Sequence, residues 1–178
     1  ECFCSVDGLG DRTVNPYPSA NVIQIKRASA RRIGTTYIYD FLGLFEVTLL
    51  NTWFKHLSAQ TDIKDKSSEI PANMFKASEL IMGADGELVV AEREIGTNKI
   101  GMLGWILWMK TPEYPAGREI VLVANDVTVK SGSFGVKEDE FYRKVSEYSR
   151  VRGLPRLYIS CNSGARIGLV DELKPNFK

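Results

Sequence analysis

The sequence predicts a mixed α/β domain, and three observations lead to that prediction. Between residues 75 and 129, apolar runs are separated by turns rich in Gly, Asp and Pro, which is typical of strands joined by hairpins. Apolar residues recur at helical spacing on either side of this region, at 41–57 and 138–152. Near the end of the chain, a strand, a Gly/Ser turn and a helix start follow one another twice.

Composition sets outer bounds on function. A chain of 178 residues is one domain or a piece of a larger one, and a formal net charge of +1 gives no reason to expect nucleic acid. The longest apolar run, 100–109, is about half of what a membrane-spanning helix needs. The three cysteines lack the spacing of a disulfide framework or a metal site. We therefore expect a cytoplasmic protein without a membrane span or a metal.

The first part of the chain mixes loop signals with one clear helix. Gly and Pro in residues 1–22 predict a loosely ordered lead-in, and a basic run follows at 26–32. Residues 34–41 read as a short strand. Apolar spacing predicts a helix over 41–57, and the polar stretch 60–71 is predicted to be a solvated loop.

The second part of the chain is predicted to contain the sheet. Four apolar segments bounded by turn signals predict strands at 75–81, 88–93, 100–110 and 119–129. A helix over 138–152 ends at Gly153 and Pro155, as a C-terminal glycine followed by proline should. A further strand at 156–160 and a helix start at 169–174 complete the pattern.

Two turns carry the chemical signal. Residues 131–135 follow one predicted strand, and residues 161–168 follow the next. Each turn leads into a helix start, where backbone N–H groups are unpaired, and glycine allows close approach of a ligand. Two convergent sets of such donors would stabilise an oxygen that becomes anionic during a reaction. Ordinary βα turns, in which glycine only permits tight packing, are the alternative.

An ordered set of motifs supplies a resemblance. The motifs are GTTYIYDF (34–41), IGM (100–102), TPEYP (111–115) with Gly117-Arg118, ND (125–126) with Thr128, GSFG (132–135) with Glu138-Asp139, and NSGARIG (162–168). In this order and spacing, from about Ile25 to Phe177, the chain resembles the carboxyltransferase domain of the large, multidomain eukaryotic-type acetyl-CoA carboxylases.

The resemblance implies an architecture and partners. The family fold is similar to ClpP and crotonase, a superhelix of ββα units, and residues 23–178 would be the first part of its N-terminal carboxyltransferase subdomain. The substrate site of the family lies between this subdomain and the C-terminal subdomain of a second protomer, so the complete protein is expected to be a homodimer. The biotin carrier domain would be a further partner. The segment alone is expected to be inactive.

The resemblance also implies a reaction. A biotin-dependent acetyl-CoA carboxylase transfers a carboxyl group from carboxybiotin to acetyl-CoA, giving malonyl-CoA for fatty acid synthesis. ATP and covalently attached biotin belong to other domains of the family. The backbone N–H groups of Gly164 and Ala165 would stabilise the thioester enolate, with Gly132 and Gly135 shaping the opposite wall and Leu169 lining the acyl pocket.

Basic side chains are candidates for the phosphates of CoA. Arg166 would contact a phosphate or else be held in an ion pair by Asp171 or Glu172. Lys26 and Arg27, with Arg31 and Arg32, would meet the nucleotide phosphates or else form a solvated basic face.

Other functions remain open on the sequence. Another crotonase-like acyl-CoA enzyme, such as a hydratase or isomerase, would need a positioned Glu or Asp as acid and base. A non-catalytic fragment that only binds or assembles is the third reading. A serine hydrolase is excluded, because the sole histidine, His56, precedes both turns and neither turn is a Gly-x-Ser-x-Gly elbow.

Overall fold

The computed structural model describes residues 21–60 and 70–166. The elements, in chain order, are α1 (Val22–Arg32), α2 (Asp40–Ala59), β1 (Phe75–Met82), β2 (Leu88–Val90), β3 (Met102–Thr111), β4 (Tyr114–Asn125), a 3-10 turn at Lys130–Gly132, α3 (Val136–Arg152) and β5 (Arg156–Ile159). The mixed α/β class is therefore confirmed.

One sheet organises the described part of the chain. Its five strands lie in the order β2-β1-β3-β4-β5. The first four strands pair antiparallel, and β5 alone pairs parallel, to β4. A parallel pair needs a crossover connection, and here α3 provides it. The run β3-β4-α3 is thus one ββα unit, the repeating unit expected for the crotonase-like class.

Both faces of the sheet are covered, and the strand alternation shows how. Leu103, Trp105 and Leu107 of β3 share one buried cluster with Leu122 of β4 and the segment Tyr37–Tyr39. The alternate residues face α3, in a second cluster with the buried Phe141 and Val145. Gly104 lets α3 approach, because a Cβ there would lie 3.2 Å from the ring of Phe141. Near-continuous apolar strands are what a sheet buried on both faces requires.

The predicted strand at 34–41 is wrong. Tyr37, Ile38 and Tyr39 are buried in a turn that links α1 to α2. The amide of Asp40 donates to the carbonyl of Tyr37, which closes the turn, and the ring of Tyr39 packs edge-on against Trp105 at 5.3 Å. Aromatic and β-branched residues give this segment a strand-like composition, but here they pack as a turn against one face of the sheet.

Helix α1 was not predicted, and it contains the basic run 26–32. Asn21 caps it, since its side chain accepts from the amide of Gln24 and the Gln24 side chain accepts in return from the Asn21 amide. The predicted lead-in (1–22) lies outside the described residues apart from Asn21 and Val22. The predicted helix start at 169–174 also lies outside them. The predicted helices at 41–57 and 138–152 are confirmed as α2 and α3.

Strand β4 differs from its prediction at both ends. It begins at Tyr114 rather than Glu119 and ends at Asn125 rather than Val129. The early start depends on Gly117, which has φ of 92° and lies under the ring of Trp108. Pro and Gly in this segment resemble a turn, yet they form an outer part of the hairpin with β3.

Within residues 21–60 and 70–166, none of the helices combines the length and the apolar character needed to cross a bilayer.

Candidate active site at the junction of two turns

The two predicted turns are in direct contact. We call residues 131–135 the first turn and residues 161–166 the second turn. Phe134 and Ala165 form a parallel β-bridge, in which the Phe134 amide donates to the carbonyl of Gly164 and the Arg166 amide donates to the carbonyl of Phe134. In such a bridge, Phe134 bonds to the two neighbours of Ala165, and the N–H of Ala165 itself points away from Phe134. The Ala165 amide therefore faces away from the first turn.

The first turn and the residue before it, Lys130, have an unusual backbone. Lys130, Ser131 and Gly132 have φ values of 46°, 56° and 65°, so three consecutive residues are in the left-handed region. Two of them are not glycine, and each such residue costs roughly 1–2 kcal/mol. The Ser133 hydroxyl and amide both donate to the carbonyl of Lys130, at 2.7 and 3.1 Å, and hold the turn closed. A conformation this costly persists only where the surroundings fix it.

Two glycines of the first turn make the contact possible. A Cβ on Gly132 would lie under 3.0 Å from the carbonyl oxygen of Cys161. A Cβ on Gly135 would also lie under 3.0 Å from the Arg166 guanidinium and from Oε2 of Glu138. Backbone and side chain of the second turn thus occupy the space where these side chains would be. The predicted alternative, in which glycine permits tight packing, describes Gly132 and Gly135.

Asn125, at the end of β4, connects both turns. It is 1% exposed. Its Nδ2 donates to the carbonyl of Gly132 at 3.0 Å in the first turn. Its Oδ1 accepts from the Tyr158 hydroxyl at 2.6 Å, and from Cys161 N and Asn162 Nδ2 at 3.4 and 3.3 Å. One buried amide side chain therefore satisfies polar groups from β5 and from both turns.

Glu138, near the start of α3, is the second residue that connects the two turns. Its side chain is 4% exposed. Oε1 accepts from the Gly101 amide at 3.0 Å, whereas Oε2 accepts from the Gly135 amide at 3.1 Å and pairs with Arg166 Nη2 at 3.0 Å. A buried carboxylate is tolerated when its oxygens are paired in this way.

The environment of Glu138 keeps it ionised. Burial acts to raise the pKa of the Glu138 carboxyl, but hydrogen bonds from backbone amides, led by that of Gly101, and the charge of Arg166 outweigh it and lower the pKa. A carboxylate with a lowered pKa and occupied oxygens is suited to holding structure together. It is poorly suited to taking a proton from a substrate.

The four predicted backbone positions have different surroundings. The Gly132 amide donates to the carbonyl of Val129 at 2.9 Å, and the Gly135 amide donates to Glu138. The Gly164 amide donates to Oδ1 of Asn162 at 2.9 Å. Ala165 is exposed, and its N–H has no acceptor within residues 21–60 and 70–166. Of these four amides, only that of Ala165 lacks an acceptor among the described residues, and the other three are bonded within the chain.

Three of the predicted phosphate-binding side chains, Arg166, Lys26 and Arg27, are paired with acids, whereas Arg31 and Arg32 are exposed at the end of α1. Arg166 pairs with Glu138 and also approaches Ser133 through Oγ and the carbonyl oxygen, at 3.3 and 3.4 Å. The sequence pointed to Asp171 or Glu172 as the acid; both lie outside the described residues, as does Leu169.

Lys26 and Arg27 lie on α1 and have separate partners. The Lys26 ammonium donates to Asp126 at 3.1 Å and to Asn98 at 2.9 Å, in a site where Asp126 is fully buried. Arg27 is half-exposed and pairs with Asp40 at 2.5 Å. Lys26 anchors α1 to the residue after β4, next to Asn125, and Arg27 connects α1 to the start of α2. His56 is exposed on α2, beside Gln60.

Two residues of this junction were not among the predicted site residues. In the sequence, Asn125 and Glu138 belong to the motifs of the resemblance but carry no predicted role. A signal existed for each: a polar residue at the carboxyl end of a buried strand, and a Glu three positions after the residue that precedes a helix. No grouping of three or more His, Cys, Asp or Glu suited to a metal occurs in the parts of the chain that the structure describes.

Comparison with known proteins identifies the family to which the chain is similar. Residues 112–178 match the family model described as the carboxyl transferase domain. The chain is 48% identical over 163 residues to an acetyl-CoA carboxylase of Saccharomyces cerevisiae, with 92% of the chain and 7% of that protein covered. It is 45% identical over 162 residues to an acetyl-CoA carboxylase of Schizosaccharomyces pombe, with 91% and 7% covered.

A solved structure was also matched. The beta subunit of P. aeruginosa geranyl-CoA carboxylase aligns with a TM-score of 0.39 and 12% identity, over 90% of this chain and 29% of that one.

The chain spans about 7% of the length of the curated relatives that it matches. Both turns lie inside the matched segment 112–178. The chain therefore belongs to the acetyl-CoA carboxylase family, as a segment that includes part of the carboxyl transferase domain.

Proposed function

We propose that this chain forms the acyl-CoA side of a carboxyltransferase site that converts acetyl-CoA to malonyl-CoA. The observation that carries the proposal is the N–H of Ala165, an exposed residue. This N–H has no acceptor among the described residues and belongs to a junction fixed by buried groups. In the proposed reaction the bond between N1 of biotin and its carboxyl group breaks. The carboxyl carbon bonds to the methyl carbon of acetyl-CoA, and the methyl proton passes to the ureido nitrogen.

The task of this chain is electrostatic. When the methyl group loses its proton, negative charge builds on the thioester oxygen, and a preformed N–H donor stabilises it without reorganising. Ala165 is the proposed donor. Gly164 would join it only if Oδ1 of Asn162 releases the Gly164 amide, and this is feasible because Asn162 is exposed. Gly132 and Gly135 support the junction by close packing and donate nothing to substrate.

The cosubstrate and partners follow from the same proposal. Carboxybiotin, delivered by a biotin carrier domain, supplies the activated carboxyl group, and the residues named here act on the acyl thioester alone. A C-terminal carboxyltransferase subdomain from a second protomer would complete the site in a homodimer. In the described part of the chain β5 is at the edge of the sheet, and its Leu157 and Tyr158 are 42% and 37% exposed. This exposed apolar surface favours contact with further polypeptide at β5.

The domain and compartment predictions remain proposals. We place residues 23–178 in the first part of the N-terminal carboxyltransferase subdomain, with 1–22 leading into it. We also propose a cytoplasmic location, on the grounds of cysteine usage. Imaging of the tagged full-length protein would test this, and a mitochondrial pattern would contradict it.

Ala165→Pro in the full-length protein tests the proposed donor. Proline removes this N–H, and no hydrogen bond within the described residues is lost with it. Loss of one such donor lowers turnover by about 100- to 1000-fold in comparable sites. Ala165→Ser keeps the N–H and is the matched control. We expect malonyl-CoA formation to collapse only in the proline variant, with ATP-dependent carboxylation of biotin unchanged in both; retained turnover would remove Ala165 from the site.

The competing hydratase or isomerase function has less support. It requires an acid or base that reaches the substrate. Glu138 is the acid at the junction, but both of its oxygens accept hydrogen bonds and its pKa is lowered. Turnover of an enoyl-CoA without biotin would favour this function over carboxyl transfer.

A further inference from the structure

The Arg166 guanidinium is held against the first turn. Its side chain is 14% exposed, and its terminal nitrogens contact Glu138 and the carbonyl of Ser133. Gly135 lies directly beneath it, where a Cβ would collide with the guanidinium. These contacts direct the Arg166 guanidinium into the protein and not toward a ligand in solvent.

Arg166 is the residue immediately after the proposed donor. Its backbone amide closes the bridge to Phe134 at 2.8 Å, so the backbone on the carboxyl side of Ala165 is fixed by this hydrogen bond and by the buried side chain. Glu138 fixes the guanidinium in turn, because the same carboxylate is anchored by amides from the segment before β3 and from the start of α3. The path from Gly101 through Glu138 and Arg166 to Ala165 consists of direct contacts.

We infer that Glu138 and Arg166 are a positioning pair for the Ala165 amide. This inference rests on the proposed function, since it assigns the pair to the reaction that Ala165 would serve. Neither side chain touches substrate; both act by fixing the direction of one N–H. This positioning role replaces the expectation that Arg166 binds a phosphate of CoA.

Geometry of this kind has a kinetic signature. A donor displaced by about 1 Å can cost about 100-fold in rate, while contacts to the rest of the substrate persist. Disruption of the pair should therefore lower kcat and leave the KM for acetyl-CoA nearly unchanged. A guanidinium that bound a phosphate would give the opposite pattern, because its removal would weaken ground-state binding.

The experiment measures malonyl-CoA formation by the full-length protein carrying Glu138→Gln, Arg166→Lys, Arg166→Met or the double change Glu138→Gln/Arg166→Met. We expect kcat to fall by about 10- to 100-fold in each single variant, least in Arg166→Lys, with KM within about twofold. The double variant should be no worse than the poorer single variant, because both changes release the same amide.

Two controls make the result specific. Glu79→Gln disrupts another largely buried ion pair of the same sheet, with Arg93 at 2.5 Å, away from the junction. It should leave kcat unchanged. ATP-dependent biotin carboxylation reports on the integrity of each variant, and the double variant, in which no charge is left unpaired, is the fallback if a single variant does not fold.

Substrate variation separates positioning from phosphate binding. With 3′-dephospho-acetyl-CoA in place of acetyl-CoA, the wild type and Arg166→Met should show the same ratio of KM values. The inference would be overturned if Arg166→Met raised the KM for acetyl-CoA but not the KM for 3′-dephospho-acetyl-CoA. An unchanged kcat in Glu138→Gln would also overturn it. If the wild type forms no malonyl-CoA at all, the proposed function itself fails, which is a distinct outcome.

Discussion

Gly132 lies directly against the carbonyl oxygen of Cys161, and a Cβ at this glycine would come under 3.0 Å from that oxygen. The contact joins the first turn to the second turn through backbone atoms alone. Neither side of it can move away easily, because Asn125 hydrogen-bonds to both Gly132 and Cys161. The closeness of the two turns therefore depends on the absence of one methyl group.

Gly132→Ala should destabilise the protein more than its backbone conformation alone explains. Gly132 and Gly153 have φ of 65° and 63°, but a Cβ on Gly153 would meet nothing within 4 Å. Gly153→Ala should cost roughly 1–2 kcal/mol for the left-handed conformation. Gly132→Ala should add about 1–3 kcal/mol for overpacking. Chemical denaturation of both variants measures the difference, and equal losses of stability would show that the turns separate without cost.

Gly135→Ala should act through Arg166. The added methyl group meets the end of a long side chain, which can move at lower cost than backbone can. Stability should therefore fall less than in Gly132→Ala, while the Glu138–Arg166 ion pair is displaced. A double-mutant cycle with Arg166→Met provides the measurement, because the effect of Gly135→Ala on kcat should shrink once the guanidinium is gone. Additive effects would contradict a shared pathway.

Lys26→Met should reduce stability without a selective effect on acetyl-CoA binding. Asp126 is fully buried, and replacing Lys26 leaves the Asp126 carboxylate without its cationic partner. Breaking such a pair typically costs about 3–5 kcal/mol. Arg27→Met should have only a small effect, because the Arg27–Asp40 pair is screened by solvent. Thermal unfolding and the KM for acetyl-CoA are the two measurements, and a KM raised in either variant at preserved stability would restore the phosphate-binding prediction.

Glu138 should make stability depend on pH in the acidic range. Its pKa in the folded protein lies below the ordinary value of 4.5, so its contribution is present above that value and is lost as the pH falls through the folded-state pKa. Unfolding free energy measured from pH 7 to pH 3 should decline less steeply in Glu138→Gln than in the wild type. Parallel curves would show that Glu138 titrates alike in the folded and unfolded states.

Periodicity and turn signals in the sequence were sufficient to predict most of the helices and strands. Helix α2 follows from apolar spacing with Leu49, Trp53 and Leu57 on its buried side. The hairpins follow from turn signals, and α3 ends where Gly153 takes the left-handed conformation. The errors occur where local signals conflict with packing: Tyr37–Tyr39 resembles a strand but fills a core, and Gly117 resembles a turn but lies within β4 under Trp108.

By itself, the sequence determined which residues belong to the two turns and which family the chain belongs to, because glycines and short polar residues limit backbone choices locally. Only the tertiary structure decided which way the Ala165 amide points. That direction depends on the bridge between Phe134 and Ala165 and on Asn125 and Glu138, whose partners lie up to 37 residues away along the chain. Hydrogen bonds over such separations leave no period or spacing in a sequence, since they form only once the sheet brings the segments together.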